Sequence, residues 1–478
     1  MRFAALLANT CIASVCVAGC TVGPNFAAPP APATPGYAMH GDAAPSAAIA
    51  LSPSADTPQS WWTAFQSPQI ESVVSEALRN NPTLAQANAT LDQARADAAA
   101  ERGALAPQVN GQAAAVRERI NTAAFGFSGF PSPTISLYSI GASVSFDLDV
   151  FGGRRRTVER AEAMQAAEQA HVDAAYLTLS GNVVNQMVLI AGLRAKLAAQ
   201  DDIVAGDERI RSMVQRAIEA GGQPPAAANT ITAQLAEDQA ATPPLRQQLA
   251  QARHRLALLV GRAPADWEAP DLDLAALSLP ANIPLALPSQ LVRRRPDILA
   301  AEAELHAATA NIGVQTAALY PDVSLNPSLL QSAIDPSDIF KGSSSGWTVG
   351  PSLTAPIFHG GTLHAHVQAA NAEQRAALAA YQETVLEAFV QVADLIQAIG
   401  NDQDSVTIQQ RAVDAANANV RDSNVAYENG AGPLLSLVDA QRQANRARLN
   451  AVDAQVRLYQ DVASLYVATA ADWGKPAS

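Results

Sequence analysis

Three histidines in the second half of the chain, His359, His364 and His366, are the residues whose type best suits metal chemistry. Imidazole is a common metal ligand, and the ligands of one ion must converge on one point. His364 and His366 are two positions apart, so on a helix they lie on different sides, and no cysteine stands near them. The spacing therefore predicts no metal site and no cofactor.

The glycine pair Gly152-Gly153 is the second candidate for chemistry, because glycine-rich turns before helices can cradle phosphate groups. The pair precedes a helical segment, but the lysine pattern of a phosphate-binding loop is missing. No paired carboxylates and no nucleophile with a neighbouring base can be argued from the sequence. We therefore predict that the chain is not an enzyme.

The charge balance of the chain limits its partners. The chain has 478 residues and a formal net charge of −13 at pH 7. This acidity argues against nucleic acid as a partner, because phosphate binding needs a basic face. Hydrophobic residues make up 49% but aromatic residues only 5%, and alanine, the best helix former, supplies most of the difference.

The N-terminus has the features of a signal peptide spanning residues 1–19. Arg2 supplies the positive charge, and a largely apolar stretch follows it. The stretch Val17-Ala18-Gly19-Cys20 looks like a bacterial lipobox, which is cleaved just before its cysteine. A plain secretory signal that is cut near Ala18 is the alternative.

Cys20 is the predicted lipidation site and the first residue of the mature chain. Cys11 and Cys16 lie in the segment that would be removed, so no intramolecular disulfide can form. An N-acyl group and an S-diacylglycerol would anchor the chain stably, because lasting attachment needs more than one acyl chain. Thr21 follows where aspartate would favour the inner membrane, so we expect a lipid anchor in the cell outer membrane.

Residues 20–60, rich in Pro, Ala and Ser, are predicted to form an extended linker. Beyond the signal peptide no unbroken run of eighteen apolar residues occurs, so we expect no transmembrane helix.

The rest of the chain is a duplication. The stretches that begin at Asn81-Pro82 and Arg295-Pro296 match at one offset through to Ala106-Pro107 and Tyr320-Pro321. We assign the first repeat to residues 61–280, the second to 281–472, and a C-terminal tail to 473–478. Predicted helices cover 82–104, 156–220 and 225–260 in the first repeat and 296–318, 363–429 and 433–469 in the second.

Each repeat also contains two strand-like segments, predicted at 108–120 and 138–150 and at 321–330 and 347–357. In 138–150 apolar residues alternate without a break with Ser, Gly and Asp. Segments of about ten alternating residues are typical of transmembrane barrel strands. A soluble, half-buried sheet is the alternative, but the polar face is small and neutral.

The long helices set the dimensions of the protein. The helix predicted at 156–220 contains no proline and would reach ~100 Å at a rise of ~1.5 Å per residue. No globular core needs that length, whereas a tube across the periplasm does. The return helices are shorter, and we expect Pro243-Pro244 to break the first of them.

Four strands cannot close a barrel, and an open sheet edge is not tolerated in lipid. Several chains must therefore join their strands. Two chains would give eight strands with a packed interior, and three would give twelve with room for a pore. The strand count requires an oligomer, and a conducting function favours three chains.

Four stretches resemble the outer-membrane factor family, the TolC-like efflux channels, and within it the NodT-like lipoprotein branch of RND-type efflux systems. The stretches are Cys20 to Phe26, Trp61-Trp62 with Phe65, Leu291 to Asp297 with Tyr320-Pro321, and Pro356-Ile357-Phe358 with Gly360-Gly361. The resemblance covers nearly the whole chain.

The resemblance implies an α+β membrane protein that assembles as a homotrimer. Its transmembrane β-barrel has four strands per chain, twelve in the trimer, and continues as a long α-helical coiled-coil tunnel in the periplasm. The implied function is the outer-membrane channel of a tripartite pump, with a periplasmic adaptor and an inner-membrane RND pump as partners and drugs or other small solutes as cargo.

The resemblance also implies a gate and a docking site. The adaptor is expected to dock at the turns that join the long helices, which contain Gly221, Gly222, Gly430, Gly432 and Pro433.

In the family the closed gate carries pore-facing aspartates and a tyrosine that bonds to a neighbouring helix pair. Asp439 and Tyr427 match these residues, whereas Ser436 stands at the second aspartate position and Gly432 at an arginine position. The gate of this chain is therefore expected to depend less on charge pairs.

Two rival functions remain open at this point. The first is a type I channel for protein secretion, and the lipobox and the Arg-Arg-Pro-Asp signature favour solute efflux over it. The second is a periplasmic coiled-coil protein of the envelope that does not conduct, against which the alternating strand segments argue. Copper or silver export is a narrower option, and the few scattered methionines make it less favoured.

Overall fold

The structure is a computed structural model that describes residues 21–32, 34, 36–42, 50–52, 60–126, 128–280, 282–285 and 287–470. The predicted signal peptide 1–19, Cys20 and the tail 473–478 lie outside these residues. The chain divides into two compact units. Unit 1 comprises Met1–Pro29, Thr90–Gln169 and Ala300–Gln382, and unit 2 comprises Pro30–Ala89, Ala170–Leu299 and Glu383–Ser478.

Seven helices longer than one turn run through the described residues. They are α1 (Pro68–Asn80), α2 (Pro82–Gly103), α3 (Gly153–Glu219), α4 (Ala226–Val260), α5 (Pro296–Ala317), α6 (Thr362–Glu428) and α7 (Leu434–Ala468). The members of each repeated pair have equal lengths: α2 and α5 have 22 residues, α3 and α6 have 67, and α4 and α7 have 35. A single helical turn, Pro288–Leu291, lies before α5.

The prediction that Pro243-Pro244 breaks α4 is wrong, because the helix runs through both residues. Each proline removes one backbone N–H donor, so two carbonyls lose their partners in the helix. Buried Leu235 and Leu249 on either side of the prolines pack α4 within unit 2. This packing outweighs the local loss.

Buried aromatic side chains form the part of the unit 2 core that lies just before α1 in the chain. Trp61 is fully buried, stacks on Tyr466 of α7 at 5.5 Å between ring centroids, and donates from Nε1 to Ser180 Oγ at 3.1 Å. The hydrogen bond satisfies the one polar atom of the indole, which makes complete burial tolerable.

The strands of unit 1 form an antiparallel sheet of four ribbons. The first two are β2 (Gln108–Arg119) and β3 (Thr134–Asp147), and each of the other two consists of two short strands. β5 (Asp322–Leu325) and β6 (Ser328–Ala333) both pair with β3, and β7 (Ser345–Thr348) and β8 (Pro351–Thr354) pair with β6 and β5. In unit 2 a small parallel pair joins β1 (Ala50–Ser52) to β4 (Asn282–Pro284).

The two strands predicted in the second repeat are each interrupted. The third ribbon breaks at Asn326-Pro327 and the fourth at Val349-Gly350, next to Pro351. Proline has no N–H to donate to a neighbouring strand, so the ladder is interrupted beside each proline. The pairs Phe146–Leu325 and Ser143–Ser328 nevertheless belong to one register, so the breaks do not shift the sheet.

The end of β3 differs from the prediction of 138–150, because the strand stops at Asp147. Asp149 turns away from the sheet, and its carboxylate accepts hydrogen bonds from the backbone N–H groups of Arg154 and Arg155 at 2.8 and 3.0 Å. These donors belong to the first turn of α3, whose N–H groups lack partners within the helix. Asp149 therefore caps the N-terminus of α3 and does not extend β3.

Large apolar side chains of the sheet are exposed in the single chain. Examples are Val109, Leu329, Trp347, Val349 and Leu353, of which Trp347 is 74% exposed. Among the described strands, β2 pairs only with β3, and β7 and β8 pair only with β6 and β5. Both outer edges of the sheet are thus open.

The prediction that residues 20–60 form an extended linker needs correction for the described part of that segment. β1 pairs with β4, and the ring of Tyr37 packs edge-on against Phe389 at 5.9 Å between centroids. The parallel pairing and the aromatic contact hold the described part of the segment against other parts of unit 2, which its composition alone does not predict.

Among the described residues, one helix, α3, is long and apolar enough to cross a membrane by length and composition alone, and 56% of its most apolar stretch is buried. A mostly buried core helix has the same length and apolar composition, so the expectation of no transmembrane helix stays a prediction.

Candidate gate and docking turns

The turns at the ends of the two long helices have the same backbone geometry. Gly221 and Gly430 have φ of +73° and +68°. In the first turn the N–H of Gly222 donates to the carbonyl of Ala217 at 2.8 Å, and in the second the N–H of Ala431 donates to Ala426 at 2.8 Å. Both are Schellman motifs, in which a glycine in the left-handed region satisfies the last carbonyls of a helix.

The five residues predicted for docking, Gly221, Gly222, Gly430, Gly432 and Pro433, all lie in these two turns of unit 2. Four are exposed, and Gly432 is partly buried. A Cβ at Gly432 would lie 3.1 Å from the Cβ of Ala426, so this glycine lets the chain fold back closely on α6. Pro433 then precedes the first residue of α7.

A small apolar cluster behind the first turn connects three helices. Ile210 and Val214 of α3, Ile231 of α4 and Val438 of α7 are buried against one another. Asp439 follows Val438 directly and is exposed, because successive helical positions point about 100° apart. The burial of Val438 therefore turns the carboxylate of Asp439 away from this cluster.

Tyr427 lies one residue before the end of α6 and is partly buried. Its carbonyl accepts the N–H of Gly430 at 3.0 Å, so the tyrosine belongs to the turn itself. Within the described part of the chain, no hydrogen bond is formed by the Tyr427 hydroxyl or between Tyr427 and Asp439. The single chain thus positions both residues at the helix ends without pairing them.

Sequence reasoning missed a pair of carboxylates between α3 and α4. Asp207 is 3% exposed, and its Oδ2 lacks a hydrogen-bond partner among the described residues. Burial, and then the neighbouring Asp238, raises the pKa of Asp207 to about 7, and the charge of Arg442 opposes this. Gln234 donates to Asp238 at 2.6 Å and holds that carboxylate in place.

A second pair lies between α6 and α7 in the other repeat. Burial, and then the neighbouring Asp402, raises the pKa of Asp461 to about 6, while Arg457 opposes the shift. Arg457 Nε lies 3.5 Å from Asp402 Oδ1. An acidic residue on an otherwise apolar helical stripe is the signal that could have revealed either pair, but it does not show which partner faces it.

The three histidines considered first, His359, His364 and His366, are all exposed around the start of α6. Among the described residues, no group of three or more His, Cys, Asp or Glu side chains could hold a metal ion.

The parts described so far define a class of protein. Strand ribbons with exposed apolar faces and open edges are typical of a membrane sheet, and two of the helices, with 67 residues each, are long enough to span ~100 Å. The chain belongs to the outer membrane efflux protein family, whose profile matches residues 73–262 and 287–471. It is accordingly an outer-membrane channel subunit of an efflux system.

Individual relatives agree with this assignment. The chain is 30% identical to the pyoverdine export outer membrane protein OpmQ of Pseudomonas aeruginosa, over 86% of this chain and 87% of that protein. It is 28% identical to the cation efflux system protein CusC of Escherichia coli O6:H1, over 86% and 88%. The solved structure of the outer-membrane channel OprN, 28% identical, superposes with a TM-score of 0.86 over 95% of this chain and 100% of that chain.

Proposed function

We propose that three copies of the chain form one conduit, a twelve-stranded barrel in the outer membrane that continues as a periplasmic tunnel of helices. The open edges of β2 and of β7 and β8 support this proposal, because unpaired backbone groups at a sheet edge are very costly in lipid. Strand addition from neighbouring copies satisfies both edges at once.

The long helix of the second repeat supports the same assembly. α6 exposes large apolar side chains in the single chain, namely Leu386, Val390, Ile408 and Val425, which are 62%, 59%, 54% and 55% exposed. Side chains of this kind are stabilised when a neighbouring copy covers them. The exposed apolar side chains of α6 and the open strand edges therefore both favour contact with neighbouring copies.

The partners beyond the trimer are a periplasmic adaptor and an inner-membrane RND pump. The two Schellman turns are the proposed docking points of the adaptor, because they are exposed and equivalent in both repeats. The channel itself is passive and is not an enzyme, so the pump supplies the energy.

The cargo is a drug or another small solute that the inner pump selects. The names of two relatives of similar identity, a pyoverdine exporter and a cation efflux protein, support assigning that choice to the pump. Type I protein secretion and a spacer that does not conduct remain the competing functions.

The observation that carries the proposal is the pair of open sheet edges in unit 1. The test is to purify the full chain in detergent, determine its oligomeric state by light scattering, and record its conductance in planar bilayers. We expect trimers with discrete conductance steps. A monomer without conductance supports the spacer and contradicts the proposal.

We propose that Asp439 and Tyr427 form the periplasmic gate in the trimer. The exposed carboxylate of Asp439 and the unpaired hydroxyl of Tyr427 support this role, because each has room for a partner on a neighbouring copy. Asp439→Ala should reduce cation preference in bilayers, and Tyr427→Phe should raise the open fraction. Asp422→Ala, on the exposed face of α6, is the control, and a record unchanged by Asp439→Ala removes that residue from the gate.

We propose that Cys20 carries an N-acyl group and an S-diacylglycerol. The sequence Val17-Ala18-Gly19-Cys20 supports this, and labelling cells with radioactive palmitate tests it. The parent chain should incorporate the label, and Cys20→Ser should not. Label in both chains, or in neither, contradicts the assignment.

A further inference from the structure

The first described residues, Thr21 to Phe26, here called the N-terminal strap, lie against a buried arginine of unit 1. Arg156, in the first turn of α3, is 3% exposed. Its Nε donates to the carbonyl of Val22 at 3.2 Å, and its Nη2 donates to the carbonyl of Gly23 at 3.3 Å and to Asn25 Oδ1 at 2.8 Å. The guanidinium group of Arg156 thus binds three residues of the strap.

The cleft that receives the strap depends on two glycines that touch. A Cβ on Gly23, whose φ is +89°, would lie 2.5 Å from the Cα of Gly313 in α5. A Cβ on Gly313 would lie 2.7 Å from Cγ of Arg156. Neither position has room for a methyl group, so the strap, α5 and the arginine fit together only with glycine at both places.

A charged pair and a stacked ring hold the other side of the cleft. Glu159 Oε2 accepts from Arg156 Nη1 at 2.7 Å, and Glu159 Oε1 lies 3.0 Å from His306 Nε2. Phe26 stacks on the His306 ring at 4.3 Å between centroids. Burial alone would raise the pKa of Glu159, but the hydrogen bonds and charges of His306 and Arg156 lower it overall.

The strap also contacts the point where the membrane sheet gives way to the long helix. The N–H of Val22 donates to the carbonyl of Phe151 at 3.1 Å. Thr21 covers Gly152, where a Cβ would lie 2.6 Å from Thr21 Cγ2. Phe151 in turn stacks on Tyr320 at 4.6 Å, so the strap joins a packed junction between β3 and α3.

The corresponding place in the second repeat has none of these features. When the first residues of α3 and α6 are aligned, Ala365 and Gln368 replace Arg156 and Glu159. When α2 and α5 are aligned, Ala99 and Asp92 replace Gly313 and His306. Phe358, the counterpart of Phe151, is 86% exposed. Within the described part of the chain, the duplicated scaffold therefore carries this cleft once, as expected if it binds the N-terminal strap.

We infer that this cleft is a docking site for the acylated N-terminus, and that it fixes the lipid anchor of Cys20 at the junction between the membrane sheet and the tunnel. The inference rests on the proposed lipidation. Consecutive Cα atoms are ~3.8 Å apart, so a docked Thr21 confines Cys20 to the immediate surroundings of Gly152. Arg156 is a positioning residue in this arrangement, because it acts on the strap and not on any cargo.

The test places a photo-crosslinking residue at the stack. In the full-length, membrane-inserted chain, Phe26→p-benzoylphenylalanine should crosslink to the α5 peptide that contains His306, as identified by mass spectrometry. Adding Arg156→Ala should lower the yield at least about fivefold, and Arg156→Lys, which keeps one charge but loses the fork of donors, should lower it less. Arg102→Ala is the matched control, since Arg102 of the same unit forms only an exposed pair with Glu162.

A second pair of variants guards against misfolding of the arginine variant. Gly313→Ala should also lower the crosslink yield, whereas Gly103→Ala should not, because nothing lies within 4 Å of a Cβ at Gly103. Circular dichroism of each variant should retain the helix content of the parent. An unchanged yield in both Arg156→Ala and Gly313→Ala overturns the docking site.

The position of the anchor is measured separately. A fluorophore on Thr21→Cys, in the chain reconstituted into phosphatidylethanolamine–phosphatidylglycerol vesicles, should be quenched at one depth by doxyl-labelled lipids. Arg156→Ala should broaden that depth profile while palmitate incorporation stays at the parent level. An unchanged profile overturns the positioning role. Absence of palmitate in the parent overturns the inference through its premise, whereas bilayer conductance alone decides the proposed channel function.

Discussion

In the first repeat Asn81 precedes α2, and its Nδ2 donates to the carbonyl of Leu259 near the end of α4 at 2.8 Å. In the second repeat Arg295 stands at the matching position before α5, and its Nη1 donates to the carbonyl of Ala468 at the end of α7 at 3.0 Å. Both repeats therefore tie the start of the short helix to the end of the return helix. They do so with different side chains.

The difference shows which parts of a duplicated scaffold are constrained. A backbone carbonyl at a helix end needs a donor, and an amide or a guanidinium can supply it. Asn81 also caps α2 by accepting from the N–H groups of Thr83 and Leu84. Arg295 cannot accept, and instead binds Asp297 and Gln391. Both repeats therefore have the hydrogen bond to the return helix, but the other partners of the two side chains differ.

The largest expected effect on stability comes from removing the side chains that bind the ends of the return helices. Arg295→Ala should lower the free energy of unfolding by about 3 kcal/mol, because the guanidinium is largely buried and its removal leaves Ala468 and Gln391 without their donor. Asn81→Ala should cost about 1–2 kcal/mol, the usual value of a lost helix cap. Both losses are measured by unfolding the detergent-solubilised protein in guanidinium chloride and monitoring circular dichroism.

The exposed Arg293→Ala, two residues before Arg295, is the control for this comparison and should have little effect. Equal losses for Arg295→Ala and Asn81→Ala would show that only the shared bond to the return helix matters, and would contradict a larger contribution from Arg295.

A smaller and symmetric effect is expected at the two turns. Gly221→Ala and Gly430→Ala should each cost about 1–2 kcal/mol, because alanine is strained in the left-handed region that both glycines occupy. The matched control is Gly222→Ala, whose φ is not positive. Thermal unfolding of the two glycine variants should shift by similar amounts, and a clear inequality would break the equivalence of the turns.

The smallest expected effect is a pH dependence of the two carboxylate pairs. The folded-state pKa values of Asp207 and Asp461 are raised to about 7 and about 6, above the ordinary value of ~3.9 for an unfolded aspartate. The folded state therefore binds more protons, and stability falls as the pH rises from about 4 through these values.

Asp207→Asn should consequently be more stable than the parent at pH 8, by on the order of 1 kcal/mol, and similar to it near pH 4. The gain is smaller than the full pKa shift of Asp207 would give, because Asp238 is partly exposed and Arg442 offsets part of the repulsion. Asp461→Asn should show the same sign over a window that ends about one pH unit lower. Unfolding curves at several pH values check both, and a variant less stable than the parent at pH 8 would falsify the assignment.

Local patterns were good predictors of elements and poor predictors of their interruptions. Helix periodicity, with proline at its start, placed α2 and α5 within a residue or two of their observed ends. The same reasoning failed at Pro243-Pro244, where packing on both sides carries the helix through. It also failed at Asn326-Pro327, where the neighbouring ribbons keep a register that the sequence of one strand does not contain.

The residues of the candidate site could be located from the sequence, but their contacts with other elements could not. The sequence placed Tyr427, Asp439 and the five docking residues at the ends of the helices, because glycine and proline mark turns by their own backbone preferences. It did not place Asp207 against Asp238, or the strap against Arg156. These contacts join side chains on different elements, which periodicity within one element does not relate.

By itself the sequence determined the duplication, the lengths of the paired helices, the alternation of the strands and the turns that join the helices. Each follows from interactions among residues a few positions apart, so it can be recognised in a short window. Only the tertiary structure decided that Arg156 binds the strap, that Asn81 and Arg295 both bind the end of a return helix, and that Asp207 and Asp461 each face a second carboxylate. Those contacts join residues far apart in the chain. They form because a polar or charged group that is buried on folding is costly unless it has a hydrogen-bonding or charged partner.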